Sequence, residues 1–575
     1  MLYRRLHRFE QRLFDALAMT LVLFYSYSAV LEPAATQYHR GIYIVITYVL
    51  VFLLYRTPTA WGRALDYGLI IASAVTIGYW MVNFEAINYR AGAETELDKW
   101  IAMVGVVIGV ELARRVVGSV FVIIGAVMLL YGVYGEYAPE MISHAGDTFP
   151  DLCTSIFYKS DGVFGIMANV LATYIILFVI FGAFLERSGA QRFFIDFPLA
   201  AVGHRIGGPA KVSVIASGLF GSISGSAIAN TVSTGAFTIP MMKKAGFKPH
   251  VAGGIEPAAS IGGMFMPPVM GAGGFLMAEL TGVPYSQIML IAVFPALMYF
   301  FSVFVMVHYE AKRQNIVGER SSVRAGDILK REWFYILPLV TITILMLMGY
   351  SPGYSAILGI ATCILVSWFR KETRIGLEGF LSASRAGAEA SLKIGATVGV
   401  IGIIIGVLTY SGLVLTFADM VIELADGRLW LTILLIAFAS LILGMGVPVT
   451  AAYLITAVVA VPALTELGVN PIAAHMIVYW LSQDSNITPP VCIAAFAGAT
   501  IAKANMWKTA FASFKFAKFL YLGPFLFGYV PGFTLDGSAR DIVVSYVLIL
   551  FATYAYSWLL SGIWLEWFKK KAPAL

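Results

Sequence analysis

Two carboxylates stand where carboxylates are costly. Glu256 and Asp484 both lie inside stretches apolar enough to cross a bilayer, where an acidic side chain must be hydrated, protonated or paired. Each is a candidate for proton coupling or ion binding, with a structural hydrogen bond at a helix break as the alternative reading. The sequence gathers small and hydroxyl residues near them. One stretch reads Gly221-Ser222-Ile223-Ser224-Gly225-Ser226-Ala227-Ile228-Ala229-Asn230-Thr231, and another reads Gly444-Met445-Gly446-Val447-Pro448-Val449-Thr450. Two further segments carry paired prolines: Ser260-Ile261-Gly262-Gly263-Met264-Phe265-Met266-Pro267-Pro268, and Ser482-Gln483-Asp484-Ser485-Asn486-Ile487-Thr488-Pro489-Pro490. Proline removes a backbone donor and frees a carbonyl one turn earlier, while glycine lets the chain leave helical geometry. In hydrocarbon, freed backbone is tolerated only where protein or an aqueous cavity covers it. That makes it available to a small cation or an anion. Carbonyls and Ser/Thr hydroxyls are hard oxygen ligands that suit sodium, and helix N-termini at the tips would direct partial positive charge at a substrate carboxylate. Glycine and serine also serve close helix packing; the density of polar groups opposite a Pro-Pro break favours a site. His475 has no neighbouring ligand pattern and reads as packed or interfacial. Trp80, Trp430, Trp480 and Trp567 read as interface anchors. Cys153, Cys363 and Cys492 are too scattered for a disulfide framework or a metal site.

Such groups can meet only if the chain is a bundle of spans. Of its 575 residues 59% are hydrophobic and 13% charged, against about a quarter charged in ordinary soluble domains. Apolar runs of about 20 residues recur from end to end. A cytosolic enzyme, a secreted disulfide scaffold and a single-span receptor are thereby excluded. Arg4, Arg5, Arg8 and Arg12 precede a first run that has no cleavage site behind it, so the N-terminus is expected to stay in the cytoplasm. Spans are predicted at 13–30, 42–55, 65–82, 100–116, 119–134 and 163–185, with basic loops at Arg56/Arg63 and Arg114/Arg115 alternating with an acidic one at Glu94, Glu96 and Asp98. Further spans follow at 251–280, 288–307, 333–349, 354–369, 394–417, 471–501, 516–530 and 542–567, the last ending at Lys569, Lys570 and Lys571. The net charge of +6 is assigned to these orienting loops, and no nucleic-acid partner is expected.

Two apolar segments do not fit simple crossing. The stretch 212–239 is basic at both ends, and 429–461 runs from an acidic region to Glu466. Both read as re-entrant hairpins, at about 210–240 and about 429–462, entered from opposite sides. An offset of 222 residues then sets Pro240 on Pro462, Gly246 on Gly468, Pro249 on Pro471, Ser260 on Ser482 and Pro267-Pro268 on Pro489-Pro490 without a gap. Repeats of opposite orientation with a midplane site are a mark of secondary transporters. The expected fold is an all-α polytopic membrane protein with inverted repeats, two re-entrant hairpins, about 14 spans and both termini inside.

With these motifs in view the chain resembles a known family. Ser224-Gly-Ser-Ala-Ile-Ala-Asn230, Pro240-Met-Met-Lys-Lys-Ala-Gly246, Gly262-Gly-Met-Phe-Met-Pro-Pro-Val-Met-Gly271, Gly444-Met-Gly-Val-Pro448 and Asn486-Ile-Thr-Pro-Pro-Val491 look like the large membrane subunit of tripartite ATP-independent periplasmic (TRAP) transporters. The first and third resemble the TAXI-associated branch, in which small and large subunits are fused. The resemblance is close from residue 151 to the C-terminus. It implies small-subunit-like scaffold helices over 1–150 and a large-subunit-like transporter domain over 151–575. It further implies an elevator-type importer in the bacterial inner membrane, acting as a monomer. An extracytoplasmic TAXI-type binding protein would deliver a small organic acid, a C4 or C5 dicarboxylate or glutamate-like compound. Uptake would be driven by sodium or protons, with no other cofactor; no Walker A sequence is present. Carried onto this chain, one ion site would use Ser222, Ser224, Ser226, Asn230, Gly262 and Gly263, and a second Gly446, Val447, Thr450, Ser485, Asn486 and Thr488. Substrate would lie between the tips, against Ser226, Asn230, Thr231, Thr450 and Asn486. Ala227 and Val449 stand where many relatives carry hydroxyl residues, and each removes a side-chain ligand.

Two other classes are weighed. An autonomous elevator symporter resembling divalent-anion carriers would need no soluble partner. A membrane-embedded enzyme is disfavoured, because the chain has no HExxH, no DDxxD-type pair and no nucleophile elbow.

Overall fold

The computed structural model describes residues 2–563. Trp567 and the lysines at 569–571, expected to close the last span, lie outside the described residues. Among those described, the regular elements are helices, apart from one isolated antiparallel bridge between Ile206 and Val317. Nine helices among the described residues are long and apolar enough to cross a membrane, and Ser119–Val133, Pro352–Ser367, Leu429–Leu443 and Ile493–Ala502 are shorter apolar helices. Some of the larger number expected from hydropathy are interrupted helices counted as one crossing, and others are helices too short to be counted among these nine. The stretch 251–280 is two helices, Pro249–Phe265 and Gly271–Thr281, and 471–501 is built from Pro471–Leu481, a 3-10 turn at Asp484–Asn486 and Ile493–Ala502.

The chain divides into two compact units. The first comprises Met1–Arg187, Met348–Arg428 and Met445–Leu467. In it the N-terminal helices pack onto helices from later in the chain wherever glycine permits close approach. A Cβ at Gly109 would lie 3.0 Å from the Gly399 Cα, and Gly105 faces the Phe157 ring. Polar anchors fix the same neighbours: Arg385 makes a two-nitrogen bridge to Asp15 at 2.7 and 2.8 Å, and Arg40 donates to the Phe164 carbonyl at 2.7 Å. Planar guanidinium forks of this kind hold geometry as well as charge.

The second unit comprises Ser188–Leu347, Leu429–Gly444 and Gly468–Leu575. The first predicted hairpin forms here: the arm Gly208–Ser224 ends at left-handed Gly225 (φ 59°), and Ser226 caps the returning arm Ala227–Lys244. Glycine in that conformation costs no Cβ clash, and a serine N-cap satisfies a free backbone donor. The arms pack on each other and on Pro249–Phe265. The two arms expected of the second hairpin fall in different units, Leu429–Leu443 here and Val449–Glu466 in the first.

The repeat is visible in the backbone. Ala227–Lys244 and Val449–Glu466 differ by 222 at both ends, Pro249 and Pro471 each open a helix at its first turn, and Gly271 corresponds to Ile493. Pro267-Pro268 and Pro489-Pro490 are both cis, and the residues that precede the post-break helices, Met270 (φ 56°) and Cys492 (φ 47°), are both left-handed. Within the second unit the broken helices cross antiparallel. A Cβ at Gly253 would lie 3.0 Å from the Gly498 carbonyl oxygen, whereas Gly273, further along the first, meets the Tyr479 ring, earlier in the second. As one chain advances the other recedes, the relation expected of repeats inverted about an axis in the membrane plane.

Candidate functional site

The first hairpin tip sits against the first break. A Cβ at Gly225 would be 3.1 Å from the Gly271 Cα, one at Gly221 would be 2.6 Å from the Gly263 Cα, and the Val269 N–H donates to the Ser222 carbonyl at 3.3 Å. Asn230 ties the three elements together: its side-chain amide donates to the Ser217 carbonyl at 2.9 Å and the Ser260 carbonyl at 3.5 Å from a fully buried position.

The predicted residues here divide by what their polar atoms already do. The Ser222 hydroxyl donates to the Leu219 carbonyl at 2.8 Å, and Ser226 accepts from the Ala229 N–H at 3.3 Å as the N-cap. Gly262 faces the rings of Tyr299 and Phe300, where a Cβ would come within 2.7 Å, so it serves packing. Gly263 is the contact point with the hairpin. The buried hydroxyls of Ser224, Thr231 and Ser260 have no hydrogen-bond partner among the described residues. A buried hydroxyl without a partner is expensive. These three oxygens, one from each element that Asn230 joins, are of the kind a hard cation or a substrate carboxylate would recruit.

Glu256 lies behind the tip, fully buried, and its carboxylate accepts from four hydroxyls: Ser213 and Ser217 of the first arm, Thr234 and Thr238 of the second. Sequence reasoning singled out the acid and missed its donors. A signal was present, because Ser213 and Ser217 are four residues apart, as are Thr234 and Thr238, and that spacing places each pair on one helix face.

The carbonyls freed at the first break have partners that the sequence reading did not supply. Tyr479 donates to the carbonyls of Met264 at 2.8 Å and Met270 at 2.5 Å. Tyr285 lies 2.8 Å from the Pro268 carbonyl and 2.6 Å from that of Val269. Two buried phenols therefore serve the break, each with its one O–H shared between two carbonyls. Tyr479→Phe keeps the ring, which meets Phe265 edge-on at 5.8 Å, and strands two carbonyls. It is expected to cost about 1–3 kcal/mol and to lower uptake by a larger factor than protein yield, read from transport assays normalised to purified protein.

The second break is polar in a different way. Asp484 has one carboxylate oxygen, and Gln483 both amide atoms, buried without a partner among the described residues. The Asn486 side chain donates to the Gln483 carbonyl at 3.3 Å, Thr488 shares a 2.5 Å hydrogen bond with Tyr521, and Ser485 packs where a Cβ on Gly444 would be 2.7 Å away. Ser485, Asn486 and Thr488 thus belong to the second unit. Gly446 (φ 77°), Val447 and Thr450 lie in the first, where Gly446 approaches Val120 and the other two are buried. His475 is buried, as expected of a packed residue.

Residues 104–533 match the family described as "Tripartite ATP-independent periplasmic transporter, DctM component". The chain is similar to the C4-dicarboxylate TRAP transporter large permease protein DctM of Pseudomonas aeruginosa, 24% identical over 62% of this chain and 84% of that protein. It is also similar to the sialic acid TRAP transporter large permease protein SiaM of Vibrio cholerae, 22% identical over 60% of this chain and 80% of that one. Among solved structures it is similar to the YdaH transporter of Alcanivorax borkumensis, at 16% identity and a TM-score of 0.46, over 72% of this chain and 98% of that one.

Proposed function

Since the chain belongs to the DctM-component family of tripartite ATP-independent periplasmic transporters, and is thus a multi-pass inner-membrane transport permease rather than an enzyme, we propose that it imports a small organic acid by secondary active transport. The observation that carries this reading is the antiparallel crossing of two broken helices beside a hairpin tip, with unpartnered buried hydroxyls on both hairpin arms and on the first broken helix. Inverted, interrupted helices create a polar site that a rigid-body movement can expose to either side in turn. The named relatives carry carboxylate compounds, C4-dicarboxylates and sialic acid, which supports an organic acid as the substrate class.

In this proposal an extracytoplasmic binding protein of the TAXI type delivers the solute, and the N-terminal helices serve as a fused small subunit within a monomer. The hairpin-bearing part moves as an elevator, and both termini face the cytoplasm. Sodium or a proton supplies the driving force. At the first break Ser224, Thr231 and Ser260 would hold a cation or the solute, with Asn230 fixing their elements. At the second, Asp484 and Asn486 are the polar groups best placed to respond to an ion.

Reconstituted protein is expected to accumulate a C4- or C5-dicarboxylate only when its binding protein and an ion gradient are both supplied. Ser226→Ala and Asn486→Ala should reduce uptake more than they reduce folded yield. Accumulation with both sodium and proton gradients collapsed would refute the coupling. Accumulation without any soluble partner would replace this reading with an autonomous symporter.

A further inference from the structure

Four arginines converge on one cavity in the first unit. The cavity is about 520 Å³ and is lined by Arg5, Arg56, Arg63 and Arg115 together with Leu54, Tyr55 and Pro58. Among the described residues no acidic one lines it. Basic residues that only set orientation need to lie in a loop. These are built in. Arg115 is nearly buried, bridges to Asp66 at 2.6 Å and Glu111 at 2.7 Å, and lies over the Phe52 ring at 4.9 Å. Arg56 bridges to Glu10 at 3.3 Å and donates to the Arg5 carbonyl. These carboxylates fix the guanidinium groups and are not among the residues lining the cavity. Arg63 contacts His7 at 3.1 Å, and among the described residues neither Arg5 nor Arg63 is paired with a carboxylate. The cluster keeps an excess of positive charge directed at the cavity.

The surroundings say what kind of anion fits. The helix Ala60–Val82 begins at the cavity with exposed Trp61, followed by exposed Leu65, Ile71, Val75 and Val82 at helical spacing. Trp at the start of an apolar, unpacked face marks the boundary between headgroups and acyl chains. A polar cavity of fixed guanidinium donors at that boundary suits a phosphodiester. We propose that this cavity binds the phosphate of an anionic phospholipid, whose acyl chains run along the exposed face of Ala60–Val82.

The test uses the full chain in neutral detergent, with phosphatidylglycerol as the probe, phosphatidylcholine as the neutral control and inorganic phosphate as the soluble alternative. Binding is read by native mass spectrometry and by the shift in thermal unfolding. The Arg5→Gln/Arg63→Gln double variant removes the two arginines that neutralise no buried acid, so it strands no carboxylate. Arg320→Gln/Arg324→Gln, in an exposed loop, removes the same charge elsewhere. Phosphatidylglycerol is expected to bind in preference to phosphatidylcholine, and the first double variant to weaken it roughly thirtyfold by the loss of two basic contacts, while the second leaves it unchanged. Equal weakening by both variants would show a generic charge effect and overturn the site. Stabilisation by inorganic phosphate alone, abolished by the same Arg5/Arg63 variant, would assign the cavity to a soluble phosphate and overturn the lipid. None of these readouts depends on transport, so they stand apart from the proposed import activity.

Discussion

Glu256→Ala is expected to destabilise the protein by about 2–4 kcal/mol, the cost of leaving buried donors unsatisfied. The size follows from what each hydroxyl can do once the carboxylate is gone. Thr234 already lies 2.7 Å from the Asn230 carbonyl and Thr238 lies 3.1 Å from that of Thr234, so both can turn to their own helix. Ser213 and Ser217 have less recourse: Ser217 retains only its 3.1 Å contact with the Thr234 hydroxyl. The penalty therefore comes from the first arm, and from the space left by the side chain. Glu256→Gln keeps the shape and one acceptor, and its amide can donate to a hydroxyl, so about 1 kcal/mol is expected. Thermal unfolding in detergent reads both. The pair also separates two roles for the acid. A residue that carries the coupling proton cannot be replaced by an amide, whereas a hub that locks two arms to a broken helix can. Uptake by Glu256→Gln within a few-fold of the parent, with its pH profile unchanged, is the expected result; loss of proton-dependent uptake at full stability would make Glu256 a coupling group.

How far the sequence discloses this architecture differs between elements for physical reasons. The register of 222 residues is legible because proline and glycine act locally: a Pro-Pro pair breaks a helix wherever it stands, and a single proline suits the first turn of a helix, which accounts for the coincident starts at Pro249 and Pro471. The tip residues Gly225 and Ser226 are legible for the same reason, since turn and cap chemistry is decided within a few residues. The tyrosine clamp is not. Tyr479 and Tyr285 reach the carbonyls of the first break from other helices, and an aromatic residue in an apolar run reads equally well as an interface anchor. Nor does hydropathy say which helices neighbour one another. The apolar stretch 429–461 suggests one hairpin, yet Leu429–Leu443 packs on Pro471–Leu481 and Phe519–Tyr529 within the second unit, while Val449–Glu466 packs on Leu413–Leu424 within the first. That choice is made by the shapes of the surfaces that meet, which periodicity does not encode.

The contact between hairpin and break gives the sharpest functional expectation. At Gly221 an added Cβ would stand 2.6 Å from the Gly263 Cα and 2.6 Å from the Asn230 side-chain nitrogen. The second neighbour could rotate away, but the first is backbone in a helix buried from Val251 to Phe265 and cannot. Gly221→Ala must therefore push the first arm off Pro249–Phe265, at a cost of about 1–3 kcal/mol typical of overpacked cores. The displacement falls on the residues proposed to bind, because Asn230 loses its position between the Ser217 and Ser260 carbonyls and the tip withdraws from Gly271. Uptake should drop by at least an order of magnitude while most of the protein still purifies as a folded species. Gly78→Ala is the matched control: no atom lies within 4 Å of its added Cβ, and alanine favours a helix interior by up to about 1 kcal/mol. That variant should be at least as stable as the parent and transport equally well. If Gly221→Ala were also silent, a tip free to shift against the first break would not be what shapes the site, and the three unpartnered hydroxyls would have to act without the close packing that now brings their elements together.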